Sequence, residues 1–304
     1  MSLRQINSLH RKSNLQVIRW LQRRNVLANP LYCGTCGRDM DIVQRGRQHI
    51  DGYVWRCRGC SKKRSLRTNS FFAHFPKIKL ADAVTMLYFW SEDDGQRKTA
   101  TKVGISRNLV SKFYWKVGEV CTAYLDRYPV IPFGGPNCVV QCDESKFCHK
   151  RKYNRGRRPR DAWVFGVIST EYQPARGYYQ VVNGRDRATL LPILELCLNP
   201  GSIVHSDDWA AYGNLHRLLP NHVAEHRIVN HSLNFVDPVT GVHTQNMESK
   251  WNELKRKIKE MKGIAGDRLQ SYLNERMWRE WIGGEQVLTN FWTTLSLMYP
   301  NVPV

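Results

Sequence analysis

The sequence predicts an α/β fold for its second half, preceded by a small cysteine-rich module and a helical region. Three observations carry this. Two C-x2-C pairs stand at Cys33/Cys36 and Cys57/Cys60, a helical pattern follows from Leu80 onward, and strand and helix patterns alternate after the Pro/Gly-rich stretch Tyr128–Pro136 (YPVIPFGGP). The expected organisation is a basic N-terminal segment (1–28), a cysteine-rich module (29–76), a helical region (77–130) and an α/β domain with C-terminal helices (131–304).

Composition bounds the function. A chain of 304 residues suggests roughly two domains, and 42% hydrophobic with 24% charged residues excludes a disordered or fibrous chain. The 46 Lys+Arg against 26 Asp+Glu give a net charge of +20, which calls for a polyanionic partner, most commonly nucleic acid. Residues 1–68 hold fifteen Lys/Arg against three acids, and Lys146–Arg160 adds eight basic residues with no acid. The longest apolar run, Ala83–Trp90, is too short to cross a bilayer, so no membrane partner is expected. The first residues carry no secretory signal pattern, so the expectation is an intracellular protein whose nine cysteines do not form a disulfide framework.

The cysteines are of two kinds. Cys33-Gly-Thr-Cys36 and Cys57-Arg-Gly-Cys60, with twenty residues between, have the spacing of one tetrahedral Zn²⁺ site on a zinc ribbon. Asp51-Gly52 suits the hairpin turn between them. Four thiolate ligands leave no position open for water, so a single structural zinc is expected. Arg56, Arg58, Lys62, Lys63, Arg64 and Arg67 are then available to phosphates. Cys121, Cys138, Cys142, Cys148 and Cys197 are scattered. Cys142, Cys148 and His149 form a conceivable second metal group, but buried, unreactive cysteine is the simpler reading.

Residues 96–117 read as a helix-turn-helix. Small Ala100 allows close helix approach, Gly104 sits at the turn, and Ile105, Val110 and Phe113 share an inner face. Ser106 caps the second helix and leaves Arg107, Asn108, Ser111 and Lys112 outward for a DNA groove. An ordinary helical hairpin with a solvated basic face is the alternative. The Leu80–Trp90 helix supports the pair.

In the second half, strands are expected at Asn137–Asp143, Ala162–Ser169, Gly177–Asn183, Ser202–Asp207 and Arg227–His231. Helices are expected at Thr189–Leu198 and from near Asn246, where Trp251, Leu254, Ile258 and Met261 recur at helical spacing. Three antiparallel strands, a helix, then further strands and helix is the order of a ribonuclease H-like fold. Asp143 and Asp207 end strands in that order, and Glu248 lies three residues before Trp251 on the inward stripe of the last helix. Singly, each acid has a simpler role in a cap or a surface ion pair. Jointly, three converging carboxylates suit a pair of Mg²⁺ ions acting on a phosphodiester.

These residues resemble a known family. CDES at 142–145, KYNRGR at 152–157, WVFG at 163–166, PGSIVHSDDWAAY at 200–212, VNHSLNFVDPVTGVHT at 229–244 and ESKWNELK at 248–255 are similar to motifs of the Merlin superfamily of DDE transposases and its bacterial insertion-sequence relatives. So are the upstream WRC…C and SFF at 70–72. The resemblance implies a ribonuclease H-like catalytic domain and cut-and-paste DNA transposition, with terminal inverted repeats and target DNA as the bound duplexes. The Asp of its D-E-[ST] motif falls on Asp143, the Asp of S-D-x-W on Asp207, and the Glu of H-T-N-x-x-E-S on Glu248. Asp208 occupies a variable position. Gln245 stands where the family has Asn, and Cys142 where it has an aliphatic residue.

The expected mechanism uses two Mg²⁺, with Mn²⁺ as a substitute, held by Asp143, Asp207 and Glu248. Lys146, Lys150, Arg151, Lys152, Arg155, Arg157 and Arg158 hold the DNA backbone nearby, and His231 and His243 are secondary candidates. Pairing two element ends requires a homodimer or higher homo-oligomer on DNA, in the nucleus of a eukaryote or on a bacterial nucleoid. The alternatives are a domesticated zinc-ribbon/helix-turn-helix DNA-binding protein with an idle centre, and a structure-specific nuclease on the same fold.

Overall fold

A computed structural model describes residues 1–46, 49–147, 162–229, 241–264 and 266–300. The chain divides into two compact units, Met1–Tyr124 with Ile282–Val304, and Leu125–Trp281. Among the described residues no helix is long and apolar enough to cross a membrane.

The first unit opens with two short helices, α1 (Leu3–Leu9) and α2 (Asn14–Gln22), in the segment read from sequence only as basic. Each begins with a capping box, Ser2 with Gln5 and Ser13 with Gln16, which satisfies amide groups that the first helical turn leaves without partners. A four-stranded antiparallel sheet follows: β1 (Leu31–Tyr32), β2 (Asp39–Gln44), β3 (Tyr53–Cys57) and β4 (Lys63–Ser65), paired in chain order. Met40 faces Cys57 and Gln44 faces Tyr53 across the central pair.

Helix α3 (Leu80–Ser91) buries eight of its twelve residues and is therefore the centre of the unit rather than one of its faces. Helix α4 (Gln96–Val103) ends at Gly104, whose φ of 72° is a left-handed conformation that glycine adopts without a Cβ penalty. Helix α5 (Arg107–Arg127) begins where the Ser106 hydroxyl accepts from the Leu109 amide. Its inner face is Val110, Phe113 and Val117, and the Thr99 and Tyr114 hydroxyls join α4 to α5 at 2.7 Å. At 21 residues, α5 extends well beyond the end anticipated at Val117.

The second unit is built on one five-stranded sheet. Its strands are β5 (Val139–Phe147), β6 (Ala162–Ser169), β7 (Arg176–Val182), β8 (Ser202–Asp207) and β9 (Val223–Val229), in spatial order β7-β6-β5-β8-β9. The first three pair antiparallel, and β8 and β9 run parallel to β5, which is a ribonuclease H-like arrangement. Helix α6 (Arg187–Cys197), capped by the Asp186 carboxylate, crosses from β7 to β8, and short α7 (Leu215–Leu218) precedes β9.

Val140, Cys142, Phe165 and Val167 pack with Leu190, Leu194 and Tyr212 on one sheet face. The other face receives α8 (Gln245–Glu260) and α9 (Leu269–Trp278), the latter followed by a π-helical turn at Arg279–Gly283. A Cβ on Gly166 would stand 2.7 Å from the Trp251 ring and still closer to the Met247 methyl, so the missing side chain lets α8 lie directly on β6. Strand β9 covers Val223–Val229, earlier and longer than the short strand anticipated at 227–231.

The apolar stretch Trp281–Trp292 suits packing on the α/β domain (131–304), with which the sequence groups the C-terminal helices, or on a partner, and here the structure differs. Trp281 does stay there, its Nε1 donating to the Gly177 carbonyl at 2.8 Å. Helix α10 (Val287–Met298) packs instead on α3, with Phe291 4.6 Å from Trp90 and Trp292 edge-on to Trp20. The cause is α3 itself: a helix apolar on all sides needs cover on all sides, and α10 completes what α1, α2 and α4 begin.

Candidate active site and metal centre

Asp143 lies in the interior of β5 opposite Gly166 of β6. Its Oδ2 accepts from Trp251 Nε1 at 2.8 Å and its Oδ1 from the Glu144 amide at 2.7 Å. Asp207 is the last residue of β8, and its Oδ1 accepts from the Trp209 amide at 3.1 Å. The two strands are parallel with Gln141 level with His205. The pairing ends there; strand alternation turns Asp143 and Asp207, each two residues beyond that pair, to the same face of the sheet as Gln141 and His205.

That face is the one α8 covers. Gln141 is buried and uses both ends of its amide there: Nε2 donates to the His243 carbonyl at 2.9 Å, and Oε1 accepts from the Met247 amide at 3.1 Å. His205 Nδ1 lies 3.4 Å from the same His243 carbonyl. The first turn of α8 is thus fixed to β5 from its start, and Glu248 occupies that turn, half-buried, one residue after Met247. Sequence reading missed Gln141; its signal was a polar side chain at the same parity as Asp143 inside an otherwise apolar strand.

Glu144 points to the opposite face, into the apolar core. Burial pushes its carboxyl up to about 7; the Tyr212 hydroxyl pulls against this, and the charges of Asp143 and Asp207 add to it. The charges of Asp143 and Asp207 are thus both felt at Glu144, and carboxylate oxygens are the donors that suit a hard divalent cation. Among the described residues, however, the four cysteines form the only group of three or more His, Cys, Asp or Glu side chains drawn within single-ion distance.

Those cysteines fit a metal closely. Their sulfurs all lie within 4.8 Å of one another, with Cys33–Cys60 at 3.6 Å and Cys36–Cys57 at 3.3 Å. A tetrahedral ion with bonds of about 2.3 Å to sulfur needs sulfur separations of about 3.8 Å. Amide groups of Gly59 and Cys60 approach the Cys57 sulfur at 3.3 and 3.5 Å. Amides of Thr35 and Cys36 bring the Cys33 thiol down to about 6, and the Cys60 amide lowers that of Cys57. At Cys33 and Cys57 the thiolate, the ligand form, is favoured before any cation arrives, whereas the Cys36 thiol, pulled down by the Arg38 amide but raised more by the neighbouring sulfurs, is pushed up to about 11.

The basic residues separate into three groups. Arg56, Lys62, Lys63 and Arg64 are exposed around β3 and β4, as are Arg107, Asn108 and Lys112 on α5, while Ser111 is half-buried. Arg58 is exposed but its guanidinium is paired with both oxygens of Asp41 at 2.7 and 2.6 Å. Arg67, expected to meet phosphate, is instead 2% exposed. Its guanidinium binds both Asp51 oxygens and the carbonyls of Phe75 and Ile78, because those donors are needed to close the loop between β4 and α3.

Lys146 is exposed near the Trp163 ring. Cys148, His149, Lys150, Arg151, Lys152, Arg155, Arg157, Arg158 and His231 lie outside the described residues. Of the remaining cysteines, Cys121, Cys142 and Cys197 are buried.

At the same end of the sheet, Arg185 lies between two indoles, its Cζ 4.0 Å from the Trp163 ring and 4.5 Å from that of Trp209. Trp209 Nε1 donates to the Arg185 carbonyl at 3.0 Å. Arg187 reaches the Ala210 carbonyl at 3.0 Å and that of Ala211 at 3.3 Å, which ties the loop after Asp207 to the start of α6.

A ribonuclease H-like sheet with one aspartate inside β5, not at its end as the sequence suggests, and another closing the neighbouring parallel β8 is the framework of a nucleic-acid-processing protein, and comparison with known proteins agrees. Residues 133–280 match the ISXO2-like transposase domain. A transposase-like protein of Haemophilus influenzae is 31% identical over 102 residues, which cover 34% of this chain and 78% of that protein. The chain belongs to the ISXO2-like transposase family.

The male abnormal protein mab-31 of Caenorhabditis elegans is 24% identical over 208 residues, 62% of this chain, and the chain spans only 47% of that relative's length. Among solved structures, a simian T-cell lymphotropic virus intasome in complex with PP2A regulatory subunit B56 gamma overlays at a TM-score of 0.32 with 13% identity, covering 66% of this chain and 69% of that one. A pre-cleavage Mos1 transpososome overlays at 0.30 with 11% identity, covering 72% and 78%.

Proposed function

We propose that this chain is a DDE-type DNA transposase of the Merlin superfamily, which binds terminal inverted repeats and cuts and joins DNA strands at one carboxylate centre. The observation that carries this is that Asp143 and Asp207 stand on neighbouring parallel strands, on the face where Gln141 holds the start of α8 and Trp251 of that helix reaches Asp143, the first turn of the helix bearing Glu248. Asp143, Asp207 and Glu248 would hold two Mg²⁺, or Mn²⁺ in their place. Bound there, the cations supply Lewis-acid activation of the attacking oxygen and stabilise the leaving 3′-oxygen. The chain's own part is orientation. Trp251 and the Glu144 amide fix the Asp143 carboxylate, the Trp209 amide fixes that of Asp207, and Gln141 sets the start of α8.

The first unit supplies recognition in this reading. Cys33, Cys36, Cys57 and Cys60 hold one structural Zn²⁺ in a zinc ribbon, and Arg56, Lys62, Lys63 and Arg64 around it meet phosphates. Helices α4 and α5 form the helix-turn-helix, with Arg107, Asn108 and Lys112 toward the groove. Synapsis of two element ends calls for a dimer or larger homo-oligomer on DNA.

Asp143→Asn tests the proposal. Mg²⁺-dependent nicking and joining of an element-end duplex should disappear while duplex binding persists. A substituted protein that still cleaves would remove Asp143 from the centre, and wild-type cleavage without any joined product would point to a nuclease instead.

A further inference from the structure

Of the ten tryptophans, all among the described residues, Trp209 alone is exposed, at 40%. It is also held firmly. Its amide is spent on Asp207, its indole N–H on the Arg185 carbonyl, and one ring face lies against the Arg185 guanidinium, which Trp163 backs in turn. The loop that follows is clasped by Arg187. An indole so fixed, with its polar atom already satisfied, presents an apolar ring two residues from a candidate carboxylate ligand.

Packing explains the inner face of this stack but not the exposure of its outer member. A tryptophan serving only as a lid on Arg185 gains nothing from being left in water, since large aromatic surfaces are stabilised by burial. What fits a rigid, cation-backed ring beside a phosphodiester site is another flat π-system. In a duplex, both faces of an interior base are covered by its neighbours and a terminal pair keeps only its outer face open, so an unpaired base, free to turn, is the one best able to lie flat on the fixed ring of Trp209.

We propose that Trp209, stacked on Arg185, is a binding platform for an unpaired nucleobase at a DNA end beside the Asp143–Asp207 centre. The proposal rests on reading that centre as the DNA-processing site. The platform stacks on the base face, so it tolerates any of the four bases, and it positions the strand without taking part in bond making or breaking.

The test uses the full-length protein and two short duplexes, one blunt and one with a single-stranded overhang containing 2-aminopurine. Wild-type protein should bind both, bind the overhang duplex more tightly, and change the 2-aminopurine fluorescence. Trp209→Ala should weaken the overhang duplex by roughly 5- to 100-fold and abolish the fluorescence change, leaving blunt-duplex affinity as it was. Trp209→Phe, which keeps a ring, should restore most of both, and an unchanged melting temperature for the pair excludes misfolding as the cause. If Trp209→Ala changes the fluorescence as wild type does, or if wild type binds both duplexes equally with no signal, the platform is wrong while the DNA reading stands. Failure of wild type to bind either duplex would sink the DNA reading, and the platform with it.

Discussion

Trp251 donates its indole N–H to Asp143 Oδ2 across 2.8 Å, so a side chain on α8 sets the orientation of a carboxylate on β5. The same indole rests over Gly166, the cross-strand partner of Asp143, so packing and hydrogen bonding fix one geometry together. Trp251→Phe keeps the ring contact and deletes the donor. A hydrogen bond to a charged group contributes about 1.5–3 kcal/mol, and loss of a group that orients a metal ligand typically raises the metal requirement about 10–100-fold. The expected result is a rise of that size in the Mg²⁺ concentration for half-maximal nicking, read from a metal titration. An unchanged titration would show that Trp251 only packs.

Removal of the proposed zinc should act on the first unit. Cys57→Ser deletes the sulfur nearest the two knuckle amides, and structural zinc sites contribute directly to folding free energy. Metal analysis should fall from one zinc per chain to none, with new proteolytic cuts between residues 29 and 76. Retention of one zinc would place the ion elsewhere.

Arg67 and Lys63 should part company when substituted. Breaking the buried Arg67–Asp51 pair by Arg67→Met strands an aspartate with 10% side-chain exposure and should cost about 3–5 kcal/mol in denaturant unfolding. Lys63→Ala, at an exposed site, should change stability by less than about 0.5 kcal/mol. If it touches a phosphate, DNA affinity should fall and the slope of log affinity against log salt should shrink by about 0.9.

His226 gives the fold an acid limit. Burial, with the charges of His216 and His205, holds its ring down to about 4, and its Nε2 lies 2.9 Å from the Ser206 hydroxyl. The folded state therefore prefers the neutral ring. The stability that this preference contributes is fully present above the unfolded value near 6.5 and is lost as pH falls from there towards 4. Melting temperature should drop between pH 7 and pH 5 in wild type, and the drop should be smaller in His226→Gln. Equal drops in both proteins would assign the acid sensitivity to other groups.

Much of the α/β half was legible because its signals are local. The strand Ser202–Asp207 and the helix near Asn246 follow from alternation and helical spacing, and the structure has them at Ser202–Asp207 and Gln245–Glu260. What escaped were relationships between distant residues. Nothing local distinguishes Arg67 from Arg64: one folds back on Asp51 and the other points to solvent, and only the closed loop decides. Gln141 reads as an ordinary strand residue until α8 arrives 106 positions later to meet its side chain. The short helices before residue 23 did carry a local mark, the paired Ser-x-x-Gln boxes, hidden beneath a run of positive charge.

The first unit is assembled from both ends of the chain, since α10 covers α3 from beyond the whole sheet unit. A ribosome therefore delivers every residue of the sheet before it delivers the helix that shields Trp90. During synthesis the sheet unit, contiguous in sequence, can collapse on its own while its older neighbour waits with an uncovered hydrophobic seam. Chains that stop short of Val287 leave that seam open permanently, so premature termination late in the message turns a folded product into a target for chaperones and proteases.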